Sequence, residues 1–268
     1  MKAPRKGRKP WKKGSFSKRY IKPYSPTPDD RAYMDDMLLG EDSSFLAFNK
    51  MSGLPTQTRN PDDRTFDKLL AVYAKSNGKQ PRLVHRLDAQ TSGVMIVART
   101  KPAAAFFSAA FADRVAQKTY LAITSGVGKV ESDGVIDQPL QRYQQQPNLA
   151  LMRSAPASAD GALLARTQYE VISQKDRYRI WRLKPETGRM HQIRAHLAHL
   201  GHPILGDPYY GGADPVEGNG VARLMLHACQ LIIPHPESGE IDLTAPVPAD
   251  MTELAGQLGL NFGDAALA

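Results

Sequence analysis

The stretch Pro81–Thr100, PRLVHRLDAQTSGVMIVART, decides how this chain is read. Its last part, Val94 to Ala98, is short, apolar and bounded by Gly93, the pattern of a buried strand. Asp88 stands on a tight loop, His85-Arg86-Leu87-Asp88 to Thr91-Ser92-Gly93, leading into that strand. Loops held on a rigid scaffold are where catalytic and binding groups concentrate. An aspartate before Thr-Ser-Gly also suits a plain turn, its carboxylate accepting backbone N–H groups.

A second stretch bears on that choice. Pro185 to Gly212 reads PETGRMHQIRAHLAHLGHPILGDPYYGG. The spacing predicts a helix from near Arg189, capped by Thr187, with Met190, Ile193, Leu197 and Leu200 as its apolar stripe. Gly201 and Pro203 end it. The other faces carry Arg189, His191, Gln192, Arg194, His196 and His199. A helix start so rich in cations and donors favours an anion, either a phosphate or a carboxylate such as Asp88. The histidines at 191, 196, 199 and 202 raise zinc, but there is no His-Glu-x-x-His arrangement and no cysteine beside them. No metal site is expected.

The remaining segments supply the scaffold. A helical turn is expected over 31–39, a strand over 44–49 with a turn at 50–55, and a helix over 65–74. A helix follows over 101–114, with Phe106, Phe107, Ala110 and Phe111 on its core side, then a strand over 118–124. Residues 141–161, rich in Gln, Ala, Ser and Pro, read as a surface excursion with one short strand near 149–153. Hairpins are expected at 166–173/177–184 and 224–233/240–243, and a short helix at 251–258. Hairpin-linked strands with a few helices give an α+β domain, its mixed, largely antiparallel sheet flanked by helices.

Composition bounds the rest. The 268 residues suffice for one large domain, read as 31–260. The lone Cys229, in an apolar context, cannot staple the fold and suits a reducing compartment such as the cytoplasm; a buried structural thiol is its reading. No apolar run reaches the length of a membrane span. Ten of the 35 basic residues fall within 1–24, with no acid there, leaving 25 against 27 acids elsewhere. The high pI therefore belongs to a basic tail, read as disordered over 1–30. Its cations interleave with Trp11, Phe16, Tyr20 and Tyr24, which suits a nucleic-acid backbone and its bases.

Together these stretches resemble the RluA-type family of RNA pseudouridine synthases, over roughly residues 40–250. The resemblance is carried by His85-Arg86-Leu87-Asp88 with Thr91-Ser92-Gly93, by Lys118-x-Tyr120-x-Ala122 with Gly126, and by Thr187-Gly188-Arg189-x-His191-Gln192-Ile193-Arg194-x-His196-Leu197 running on to Gly206-Asp207. It implies Asp88 as the catalytic carboxylate, Tyr120 stacking on the flipped uracil, and Arg194 paired with Asp88. Arg86 would help extrude the nucleotide, and His85, Arg189, His191 and Gln192 would serve RNA binding around it. The implied partner is RNA, ribosomal or transfer, acted on by a monomer. Detaching uridine at N1 and rejoining it through C5 needs no redox change and no group donor, so no cofactor is implied. Many relatives carry an S4-type module before the catalytic domain; residues 1–40 are too short and polar for one. The alternative is a non-catalytic RNA-binding or ribosome-assembly protein that keeps the fold.

Overall fold

The structure is a computed structural model that describes residues 24–263, except 59, 61, 148, 212–220 and 238. The basic tail lies outside the described residues apart from its end. In chain order the elements are α1 (Pro28–Asp36), β1 (Leu38–Glu41), β2 (Phe45–Lys50), α2 (Phe66–Leu69, continued by a 3-10 turn over Leu70–Tyr73), β3 (Arg82–Leu83), β4 (Ser92–Ala98) and α3 (Lys101–Ala112). Then come β5 (Gln117–Ser125), β6 (Asp133–Asp137), β7 (Leu140–Gln146), β8 (Leu149–Ser154), β9 (Ala162–Leu163), β10 (Arg166–Lys175) and β11 (Tyr178–Pro185). The chain closes with α4 (Gln192–His199), β12 (Leu226–Pro234), β13 (Glu240–Thr244) and α5 (Ala249–Gln257).

One sheet runs β1-β2-β4-β12-β5-β11-β10-β6, with β3 added to β4 and β13 to β12. Every pairing in it is antiparallel except β4 with β12. The expected α+β class with a mixed, mostly antiparallel sheet is what is found.

β4 is buried along its whole length because both of its faces are covered. Successive strand residues point to opposite faces. Val94, Ile96 and Ala98 pack with Phe107 and Ala110 of α3, while Met95 and Val97 pack with Met34 of α1 and Phe66 and Leu69 of α2. That is why the run reads as continuously apolar rather than alternating.

Three expectations need correction. The first helix starts at Pro28 and ends before Leu38, earlier than 31–39. A capping box sets it there: Thr27 Oγ1 accepts the Asp30 N–H at 3.2 Å, and the Asp30 carboxylate accepts the Thr27 N–H at 3.0 Å. Residues 141–161 are not a mere excursion, since β7, β8 and β9 form a second sheet. It packs on α4 through Leu140, Met152, Ala165 and Ala195. Finally, Phe106 is exposed rather than core, and Phe111 is only partly covered, stacking on His85 with ring centroids 4.5 Å apart.

The parallel pairing is confined to Ser92–His227 and Gly93–Ala228. Gly93 has φ +114°, and a Cβ there would lie 2.1 Å from the Ala228 carbonyl oxygen. Only glycine lets β12 approach at the point where the Asp88 loop enters β4. Gly93→Ala is expected to lower unfolding stability by at least about 3 kcal/mol, read by denaturant titration. A change below about 1 kcal/mol would mean the strands can separate without cost.

Candidate active site

The Asp88 loop is held by its backbone. Four consecutive carbonyls are occupied: Leu87 by the Thr56 hydroxyl (2.7 Å), Asp88 by the Thr91 N–H (3.1 Å), Ala89 by the Gly53 N–H (2.8 Å) and Gln90 by the Ser52 hydroxyl (2.6 Å). Lys50, fully buried at the end of β2, adds a bond from Nζ to the Ala89 carbonyl (3.1 Å), and also donates to Met51 (2.8 Å) and Leu54 (3.0 Å). Burial pushes the Lys50 ammonium down to about 7, against the pull of the Asp88 charge. The turn at 50–55 is thus the scaffold of the Asp88 loop, a role the sequence reading did not give it.

The Asp88 carboxylate is 33% exposed. Its Oδ2 lies 3.5 Å from Arg194 Nη1 and 3.8 Å from His191 Nε2. Oδ1 has no partner among the described residues. The Arg194 side chain is only 3% exposed and its main partner is Asp207, not Asp88. Nε donates to Asp207 Oδ2 at 2.7 Å and Nη2 to Oδ1 at 2.8 Å, a two-pronged pair. Asp207, wholly buried, also accepts the N–H groups of Tyr209 (2.9 Å) and Tyr210 (3.2 Å). The Tyr209 and Tyr210 rings flank the guanidinium at 5.5 and 5.1 Å.

α4 begins at Gln192, later than the sequence predicts. Thr187 does not cap it. Its hydroxyl instead accepts the Arg166 N–H (3.0 Å) and donates to Gln192 Oε1 (2.6 Å). The residue before the helix is His191, in a left-handed conformation (φ +51°). Its Nδ1 lies 3.0 Å from the Tyr210 hydroxyl, whose oxygen already accepts the Met152 N–H at 2.9 Å. The phenol proton therefore goes to Nδ1, and the ring proton sits on Nε2, facing Asp88. Burial lowers the His191 pKa, with Asp88 opposing and Arg194 reinforcing, so the ring is a neutral donor.

Tyr120, on β5, is half-buried and packs against two core clusters. Burial, then the Asp88 charge, raises its pKa, so the phenol stays protonated. His85 Nε2 accepts the Ile96 N–H at 3.0 Å. Burial and then Lys118 push its pKa down to about 3, so it too is neutral. Arg86 is exposed at the rim, and Arg189 Nε donates to the Leu164 carbonyl at 3.0 Å. Gln192 is different. Its amide oxygen accepts from Thr187 and the Arg189 N–H, and its amide nitrogen donates to the Arg166 carbonyl and Thr167. All four positions of its side-chain amide are filled internally.

Asp88, Tyr120, Arg194, His85, Arg86, Arg189, His191 and Gln192 all line one cavity of about 610 Å³, within the range of small-ligand sites. Sequence reasoning assigned no role to Asp207, Tyr210, Lys50, Lys118 or Arg114. Asp207 had a signal, the Gly-Asp closing the stretch after α4. Of the other histidines, His196 bonds Thr167 (2.9 Å) and the Gln138 carbonyl (2.9 Å), and His202 bonds Arg179 (3.2 Å) and the Gly128 carbonyl (2.7 Å). Both nitrogens of each ring are occupied. Cys229 is buried in the core, which pushes its thiol up to about 11.

Removing one partner of a buried ion pair strands the other charge at a cost of about 3–5 kcal/mol. Asp207→Ala is expected to lose that much stability by denaturant titration. A loss below about 1 kcal/mol would show that Arg194 reaches another anion.

Comparison with known proteins meets this geometry. The RNA pseudouridylate synthase family matches residues 44–199. Ribosomal large subunit pseudouridine synthase D of Haemophilus ducreyi is 35% identical over 240 residues, covering 84% of this chain and 71% of that protein. The protein of the same name from Nitrosomonas europaea is 36% identical over 226 residues, covering 81% of this chain and 63% of its own. Among solved structures, human RNA pseudouridylate synthase domain containing 4 superposes with a TM-score of 0.72 at 28% identity, over 87% of this chain and 96% of that one. Domain containing 1 gives 0.66 at 27%, over 84% and 94%. With its matched core spanning the Asp88 loop, β5 and α4, the chain belongs to the RNA pseudouridine synthase family, isomerases that convert uridine to pseudouridine in RNA.

Proposed function

We propose that this protein isomerises uridine in large-subunit ribosomal RNA, with Asp88 as the catalytic carboxylate. The observation that carries the assignment is the Asp88 carboxylate itself. It is open to the cavity, anchored through Oδ2 and, among the described residues, unpartnered at Oδ1. The anchored oxygen fixes orientation, and the other is left to meet the nucleotide. The ribosomal target is supported by the relatives, which carry that substrate in their names.

The reaction breaks the N1–C1′ bond, turns the uracil within the site and joins C5 to C1′, with the C5 proton moving to solvent and N1 gaining one. A uridine in a helix must first leave its stack, which costs a few kcal/mol. In this reading Arg86 at the rim occupies the place the base leaves. Stacking on the Tyr120 ring returns about 1–3 kcal/mol. His191, a neutral donor beside Asp88, and Arg194, a fixed cation, would stabilise the carboxylate as it departs from the sugar or base. His85 holds the loop to β4, and Gln192 ties α4 to β10, so both act by positioning; Arg189 remains at the mouth for the RNA strand. Residues 31–260 are read as one catalytic unit acting as a monomer, with the whole of the cavity lining falling inside that range. A cytoplasmic location goes with a ribosomal substrate.

A non-catalytic RNA binder would have no use for an exposed carboxylate in a basic cavity, where it repels phosphate. The two readings part on Asp88→Asn. Turnover, read by carbodiimide labelling of pseudouridine, is expected to fall by on the order of 10³ or more while RNA binding stays. Undiminished turnover in that variant would remove Asp88 from the chemistry.

The basic tail is proposed to add phosphate contacts that the near-neutral body lacks. Deleting residues 1–24 should weaken RNA binding and flatten its dependence on salt. An unchanged slope would leave the tail without that role.

A further inference from the structure

The cavity is lined by Arg86, Arg114, Lys118 and Arg189 as well as by Arg194. Its two carboxylates are already engaged. Asp88 faces Arg194, and Glu186 pairs with Arg166 (3.0 Å) and accepts from Gln168 (2.8 Å). Lys118 and Arg114 have no acidic partner among the described residues. Lys118 is half-buried, so its ammonium is only partly hydrated, and Arg114 is exposed. Both side chains face the same cavity, and burial, then the Arg114 charge, lowers the Lys118 pKa.

Strand geometry says what such an anion is. Lys118 and Tyr120 lie two apart on β5, so both point to the same face. The step between them is about 6.8 Å, on the scale of the reach from a base across its ribose to a phosphate. The Lys118 ammonium also lies across from the loop before α4, because a Cβ built on Gly188 would come 4.0 Å from Nζ. A base stacked on Tyr120 would therefore carry its backbone past Lys118, between the end of α3 and Gly188-Arg189.

We propose that Lys118 and Arg114 form a binding site for one backbone phosphate flanking the flipped nucleotide. The site rests on the stacking role given to Tyr120 above. It locks the strand at the linkage rather than at the base, so it sets how deeply the nucleotide enters without choosing its sequence.

The test is equilibrium binding of a hairpin oligoribonucleotide with one loop uridine, in which each flanking linkage in turn is a neutral methylphosphonate. Lys118→Met is expected to weaken binding about five- to tenfold and to make the slope of log K against log salt shallower by roughly 0.7–0.9. KM should rise with kcat retained, and Lys118→Arg should restore both. One methylphosphonate should weaken binding to the unsubstituted protein clearly more than binding to Lys118→Met, where only Arg114 still meets that linkage, the signature of a shared contact. An unchanged salt slope, an equal methylphosphonate penalty in both proteins, or a loss confined to kcat would overturn the site. Arg114→Gln, at an exposed position, keeps the test standing if the lysine variants do not fold. Binding is read without turnover, so a failure of Asp88→Asn to abolish activity would remove the enzyme assignment and leave this result to be judged separately.

Discussion

The buried pair between Arg194 and Asp207 is the constraint on which the rest of the site depends. A guanidinium with 3% of its side chain exposed is tolerable only if an anion shares its burial. Asp207 fills that need with two bonds, and its remaining capacity is taken by two backbone N–H groups. The arginine is thereby neutralised before it reaches Asp88. What is left for Asp88 is Nη1 at 3.5 Å, a long contact to a single oxygen. A carboxylate gripped in a two-pronged bond would be stabilised as an anion and dulled as a reagent. Dividing the arginine unequally between two acids orients Asp88 with the lighter grip that the role proposed for it calls for.

That division works only if Asp88 and Asp207 are each fixed independently. The first is fixed through the carbonyls of its loop, bound by 50–56 and entering β4 where Gly93 lets β12 close in. The second is fixed by the turn after α4, where Gly206 (φ +74°) runs so near the Arg223 carbonyl that a Cβ would lie 1.9 Å from it. The same turn joins the sheet, with Ile204 bridging Thr124 of β5. Two glycine-dependent approaches, one to Ala228 within β12 and one to Arg223 just before it, thus help fix the two acids between which Arg194 is divided. The small second sheet enters here as well. Met152 of β8 orders the Tyr210 hydroxyl, and that hydroxyl orients His191.

Where a segment's burial matched its own pattern, the sequence was legible. β4 reads as a buried strand because helices cover both faces, and the hairpins β10–β11 and β12–β13 read from alternation and their turns. Misreadings arose where a residue's partner lies far away in the chain. Thr187 has the look of a helix cap, yet Arg166 claims its hydroxyl from an adjoining strand. β7 looks like surface chain because it is largely polar, its buried contact reduced to a few residues on α4. Phe106 fits the helical stripe, but the stripe's width is set by how α3 sits on β4 and β12. Asp88 and Arg194 were legible as a pair of stretches. Asp207 belonged to the same motif, but its role was not legible, because nothing local says that an aspartate thirteen residues on will take most of an arginine.

The hydrogen-bond network also separates residues that support the site from those left to meet a substrate. No buried side-chain nitrogen or oxygen among the described residues lacks a partner. Gln192, His196 and Asp207 are each filled by the protein itself, and a substituent there is felt as structure. Among the charged groups that line the cavity, those without a partner among the described residues are Asp88 Oδ1, the Lys118 ammonium, and the guanidiniums of Arg86 and Arg114. One is a carboxylate oxygen and the others are cations, with the Tyr120 ring among them. A nucleotide within an RNA strand presents the complement: a flat base for the ring, anionic linkages for the cations, and an electrophilic sugar or ring carbon for the oxygen. The fold satisfies every group it uses to hold its shape, and the groups it leaves open match that one class of substrate.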